Sequence, residues 1–351
     1  MVAVAVFSVS VVAVVLAGAW ADTLGYDFLA YDGAARRLLD GGPLYDTSYE
    51  AAGGFGLYFY PPPFVLAVLP LAAVAPPGLA VWLWTAGLVG ALLAGIALLP
   101  ARSSIRWVVL ALAGVFWPVV YSIKLGQVGP ILFLLFALGW RRLASDRALG
   151  LVAALGALVK LQPGLLLCWA LLRRRWGALV VGAIGVLAVS AAATPLVGPA
   201  AWGDFLTLLA RVSDPITTPG NATIGALAHR AGLDRAAAAG LQWLSVALVG
   251  VAWLVATLRR PPVVGYLATV LASQLVSPIL WDHYAMLLLL PVAWLLDRGR
   301  WWAALLVLAA PWPLVAVVPP AVYPAALVVA LVGPLVSRAS GSAPVRPSAA
   351  S

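Results

Sequence analysis

The chain has 351 residues, of which 64% are hydrophobic and 9% charged. A soluble globular domain carries about 25% charged residues, so no soluble fold of this length covers so much apolar surface. The formal net charge of +9 comes with no long basic tract and no nucleic-acid motif. That sets nucleic acid aside as a partner and leaves the arginines to orient a membrane protein.

The main apolar runs are residues 2–20, 78–99, 106–122, 127–140, 176–197, 236–258, 263–278, 284–297, 301–318 and 321–337. They are continuous rather than alternating, which predicts membrane helices and not barrel strands. Ala19-Trp20-Ala21 looks like a cleavage site, but no basic region precedes the first run, so it is read as an uncleaved helix. Between Arg147 and Arg173 lies a further stretch, broken at Lys160-Leu161-Gln162-Pro163. Proline disfavours helix at the residue before it, and each half is short, so the stretch reads as a hairpin of re-entrant helices. Residues 62–75 read as a half-inserted helix. Cys168 is the sole cysteine; it allows no intramolecular disulfide and reads as a small buried hydrophobe.

With the N-terminus cytoplasmic, most of the 21 basic residues fall on the inner side and most of the 12 acids outside. The expected architecture is all-α and polytopic, with about 12 transmembrane or re-entrant helices and both termini inside. Residues 1–338 form one membrane domain, with a long extracytoplasmic loop at 21–77. A Ser/Ala/Pro-rich disordered tail follows at 339–351. No internal repeat is visible.

In that loop, Phe28, Tyr31, Ala35, Leu38 and Leu39 recur at helical spacing, and Gly41-Gly42 ends the pattern. This predicts an amphipathic helix over 27–40 lying along the membrane interface. Tyr58, Tyr60 and Pro61-Pro62-Pro63 suit the headgroup region. The loop reads either as a solvated connector or as a functional element. Ordinary connectors are shorter, and a carboxylate at the start of an interfacial helix suits a general base.

Lys124 and Lys160 lie on the outer side in this topology, where they do not serve orientation. Each is either a lysine snorkelling to the interface or a point charge for a phosphate. Asn221-Ala222-Thr223 matches a glycosylation acceptor, a match too short to carry weight. Ser277-Pro278-Ile-Leu-Trp281-Asp282-His283-Tyr284 places one of two histidines beside an acid, where it can share protons near neutral pH. HExxH, Walker, GxGxxG and GxSxG patterns are missing, and two histidines and one cysteine do not suffice for a dedicated zinc site.

The ordered set Asp27-Phe-Leu-Ala-Tyr31, Gly41-Gly42, Leu44-Tyr45 and Tyr60-Pro-Pro-Pro63 resembles the first external loop of glycosyltransferase family 87. These are GT-C-fold membrane enzymes that include polyprenol-phosphate-mannose-dependent α-1,2-mannosyltransferases. Gly126-Gln127, Lys160 with Pro163, Arg173-Arg-Arg-Trp176, Asn221 and Ser277-Pro278 with Trp281-Asp-His-Tyr284 recur at similar places. The resemblance covers about residues 1–340. It implies inverting transfer of a sugar, by family analogy mannose, from a polyprenyl-phosphate donor to a lipid or glycan hydroxyl. It places the active site on the extracytoplasmic face of the plasma membrane in a monomer, with no metal or cofactor.

The family's catalytic aspartate maps onto Asp27, with Asp22 a nearby competitor and Asp32 a weaker one. Its histidine maps onto His283. Lys160 and Lys124 would neutralise the departing phosphate. Asp22, Tyr31, Tyr60, Gln127, Asn221, Trp281, Asp282 and Tyr284 complete the implied substrate contacts. One departure is Val128, which stands where the family's Gly-Gln-Asn segment has asparagine. Two other readings remain open at this point: a transporter or flippase of such lipids, and a ligase or polymerase of lipid-linked glycans.

Overall fold

The computed structural model describes residues 1–48, 56–310, 312–313 and 319–336, and every regular element among them is helical. The tail predicted at 339–351, Glu50 and part of the run 301–318 lie outside the described residues.

Helices α1 (Val2–Trp20), α4 (Pro77–Leu98), α10 (Trp176–Val197) and α13 (Arg235–Arg259) are long and apolar enough to cross a bilayer. In hydrocarbon the backbone must pair with itself, and the helix does this within one segment. The chain is therefore an all-α polytopic membrane protein. The run predicted at 106–122 is two helices, α5 (Ser103–Val115) and α6 (Trp117–Leu125), bent by 66°. Pro118 sits in the first turn of α6; it has no N–H to offer the preceding turn, so the ladder breaks at Phe116. Helices α2 (Tyr26–Leu39), α3 (Val65–Val74), α7 (Gly129–Arg141), α8 (Asp146–Val159) and α9 (Leu165–Leu172) come before α10 in the chain. The hairpin break falls as predicted, with Lys160 extended between α8 and a short 3-10 turn at Gln162–Gly164.

Two helices were not predicted. These are α11 (Ala200–Val212) and α12 (Ile224–Arg230), between the predicted runs 176–197 and 236–258. The signal was present: Phe205, Leu208 and Val212 recur at three and four residues and are buried. After α13, whose first turn is capped by the Asp234 carboxylate, the fold closes with α14 (Pro262–Leu275), α15 (Leu289–Asp297) and α16 (Val322–Val336). A 3-10 segment, Asp282–Leu288, leads into α15.

Small residues let the helices approach closely. A Cβ at Gly150 of α8 would lie 2.9 Å from the Gly182 nitrogen of α10, and one at Gly114 of α5 would lie 2.8 Å from the Phe7 Cα of α1.

Three expectations need correction. Tyr58 and Tyr60 are buried within the protein rather than set in the headgroups, because Pro61 to Pro63 turn the chain back onto α2 and both rings pack on Phe64. Helix α2 is packed on more than one face, with Ala30, Asp32 and Ala34 buried while Leu39 is exposed, so it is a wall of the bundle more than a surface helix. Cys168 is exposed on α9 rather than buried.

Candidate active site

The site is assembled where three chain breaks meet. Gly25 and Gly126 have φ of +75° and +74°, a region that favours glycine. The Gly25 N–H donates to the Lys124 carbonyl at 2.8 Å, and a Cβ at Gly126 would lie 2.6 Å from the Phe28 Cβ. Phe28 stacks on Trp84 at 5.1 Å, and the Trp84 Nε1–H donates to the Gly126 carbonyl at 2.8 Å. The first turn of α2 is thereby docked on the turn between α6 and α7, which sets Asp27 beside Gln127.

The hairpin break supplies the opposing charge. The Lys160 Nζ lies 3.5 Å from the Tyr284 ring centroid and 5.8 Å from that of Tyr60. Aromatic faces attract a cation, and no carboxylate among the described residues pairs with it. The break is held by the Gln162 amide, which donates to the Ser277 hydroxyl at 2.6 Å.

The third wall is residues 277–284. Buried Asn221 ties it to the α11–α12 loop. Its amide donates to the Pro215 and Pro278 carbonyls, and its oxygen accepts from the Thr223 and Leu280 N–H groups. Asn221 is thus a latch between two loops. Asn221→Ala strands the buried Thr223 and Leu280 N–H groups and takes a donor from the Pro278 carbonyl, so a stability loss of about 3 kcal/mol is expected. Thermal unfolding in detergent measures it; an unchanged midpoint contradicts the latch. His283 donates its backbone N–H to the Asp282 carboxylate at 2.7 Å, and its Nδ1 lies 3.6 Å from the same oxygen. Its Nε2 is buried and unpartnered, and its ring meets Tyr284 edge-on at 4.7 Å.

These walls enclose a cavity of about 720 Å³. Asp27, Tyr31, Tyr60, Gln127, Lys160, Trp281, Asp282, His283 and Tyr284 all line it, although they come from segments far apart in sequence. Asp22, Lys124 and Asn221 do not. Asp22 is exposed just after α1, at φ +53°. Lys124 packs its stem against Gly18 with its Nζ 5.9 Å from the Tyr121 ring. Asp32 ion-pairs with Arg36 at 2.7 Å, and Arg36 also donates to the Ala75 carbonyl, so it is a structural acid. Tyr26, Tyr121, Gln162 and Ser277 line the cavity unpredicted, as do Phe59, Phe205 and Leu209. The last pair stands one helical turn apart on α11, the signal that α11 itself carried.

Burial raises the Asp27 carboxyl above its ordinary value; His283, Gln127, Lys160 and Lys124 oppose the rise. A carboxyl so placed titrates closer to neutrality and is a better proton acceptor when ionised. The same cavity thus holds a basic carboxylate and an ammonium that forms no ion pair among the described residues.

An apolar-walled cavity lined by a carboxylate, a lysine and a histidine is the candidate active site of this membrane protein. The chain belongs to glycosyltransferase family 87, whose family model matches residues 58–278, and it is a membrane glycosyltransferase. It is 29% identical over 313 residues to the polyprenol-phosphate-mannose-dependent alpha-(1-2)-phosphatidylinositol pentamannoside mannosyltransferase of Mycolicibacterium smegmatis. That similarity spans 82% of this chain and 75% of the relative. No solved structure matches the chain. Asp27 and His283 lie outside the stretch that the family model matches, and both line the cavity.

Proposed function

We propose that this glycosyltransferase moves a sugar, by analogy with its relative a mannose, from a polyprenyl-phosphate donor to a hydroxyl of a lipid or glycan acceptor. The observation that carries the reading is one cavity that sets a basic carboxylate, Asp27, with a half-buried ammonium, Lys160, that forms no ion pair among the described residues. Asp27 takes the proton of the acceptor hydroxyl as that oxygen attacks the anomeric carbon. The bond from this carbon to the phosphate oxygen breaks on the opposite face, and the phosphate leaves with the electron pair. The products are an inverted glycoside and the polyprenyl phosphate, and Lys160 stabilises the charge developing on the phosphate. His283 lines the cavity from the same wall. Trp281 and Asp282 face the cavity where a sugar can stack and hydrogen-bond.

On this reading residues 1–338 are one domain that acts as a monomer on the outer face of the plasma membrane, without a metal or cofactor. Membership of a transferase family favours it over transport of the same lipids. The test is transfer of label from polyprenol-phosphate mannose, and from other lipid-phosphate sugars, to lipid acceptors by the purified chain. Transfer is expected. Failure with every lipid-linked donor overturns the reading.

The raised carboxyl has a pH signature. A base works only when ionised, so kcat/KM falls as pH drops through the Asp27 titration. The acid limb is expected above the ordinary carboxyl value of 3.8. A limb at the ordinary value removes Asp27 from the role of base.

A further inference from the structure

Tyr31, Tyr60 and Gln127 form a single hydrogen-bonded line that runs from the core of α2 to Asp27. The Tyr31 hydroxyl donates to the Tyr60 hydroxyl at 2.7 Å, and the Tyr60 hydroxyl donates to the Gln127 Oε1 at 2.8 Å. All three side chains are buried.

The direction of the line follows from its chemistry. An amide oxygen only accepts, so Tyr60 spends its one proton on Gln127. Tyr60 then has only acceptor capacity left, and Tyr31 must donate to it. With its oxygen held, the Gln127 NH2 is the part left for the Asp27 carboxylate, and Gln127 is among the groups that hold the Asp27 titration down. The opposite flip sets the amide oxygen against an ionised carboxylate. Ionised Asp27 and this one amide orientation therefore select each other.

The anchor of the line is rigid. Tyr31 is enclosed edge-on by Tyr60 at 4.8 Å and Phe64 at 5.3 Å. Tyr45 donates to the Tyr60 carbonyl at 2.6 Å, which fixes the backbone of the middle member.

We infer that Tyr31 and Tyr60 are positioning residues, which orient the Gln127 amide so that it aims the Asp27 carboxylate at the acceptor hydroxyl. In this role neither tyrosine touches the sugar through its hydroxyl. The inference rests on the glycosyltransferase reading above with Asp27 as base. It also accounts for a lone glutamine here, since Tyr60 supplies the partner that keeps the amide in one orientation.

The test compares Tyr60→Phe, Tyr31→Phe and Gln127→Leu with the full-length wild type, assayed with polyprenol-phosphate mannose and a lipid acceptor. The groups facing Asp27 that shape its titration are His283, Lys160, Lys124 and Gln127, with Tyr31, Tyr60, Tyr121 and Tyr284 around them. All but the replaced residue stay in place in each variant.

Losing a bond to a charged group is expected to lower kcat roughly 10- to 100-fold in Gln127→Leu, with the acid limb moved to higher pH. Tyr60→Phe frees the amide to flip, so kcat falls about tenfold, the limb moves the same way and KM for the donor stays within about twofold. Tyr31→Phe, one link further out, gives the same pattern at smaller size. A raised KM with unchanged kcat in Tyr60→Phe overturns the inference, because it makes the hydroxyl a substrate contact. So does a drop in unfolding temperature with the pH profile unmoved, which is the mark of a purely structural role. If the wild type transfers no sugar from any lipid donor, the glycosyltransferase chemistry fails first. If the wild type transfers and these variants match it, only the positioning line fails.

Discussion

Asp27→Asn is expected to lose sugar transfer by roughly 10²- to 10⁴-fold in kcat, the range of general-base catalysis, while folding normally. Asparagine has nearly the same shape and cannot take the proton. It also removes a carboxyl that burial already drives toward its neutral form, so the unfolding temperature in detergent should hold or rise. The measurement is transfer rate and thermal unfolding on one preparation. The competing acids supply the controls. Asp22→Asn, at an exposed position outside the cavity, should retain transfer. Asp32→Asn breaks the Arg36 ion pair, so it should act on stability more than on rate. Full transfer by Asp27→Asn removes the proposed base.

Lys160→Met carries the second large effect. A fall of about 10²-fold in kcat is expected, the scale of removing one group that stabilises developing charge in a water-poor site. Stability should move the other way. The ammonium is held half-buried against Tyr60 and Tyr284 with no carboxylate at ion-pair distance among the described residues, and a desolvated charge without a close partner costs folding energy. Methionine keeps the length of the stem and removes the charge, so the unfolding temperature should rise. Lys160→Arg should recover only part of the rate, because a planar fork does not replace a point charge in a tyrosine cage. A variant as active as wild type, or one inactive only because it unfolds, contradicts the phosphate role.

How far the chain could be read in advance differs by feature. The bounds of α1 and α10 were legible to the residue, and the break at Lys160 fell where Pro163 placed it. The bend of α5 against α6 was missed although Pro118 announced it, because a single apolar run masked it. Asn221 carried a family-like motif and reads in the structure as a latch. The cluster at Tyr58 and Tyr60 looked like an interfacial belt, since aromatic residues beside prolines fit headgroups and protein interiors alike.

Membrane helices were determined by the sequence alone, because their requirement is local: enough consecutive apolar residues for the hydrocarbon, with proline and glycine as punctuation. Which of Asp22, Asp27 and Asp32 lines the cavity was decided only by the tertiary structure. All three sit in one polar stretch, and their fates depend on partners that no local pattern encodes. Asp27 faces Gln127, whose amide is in turn held by Tyr60 from 67 residues away. Asp32 meets Arg36, and Asp22 meets nothing in the cavity. Sequence distance says little about such pairs, because burial and charge act through space.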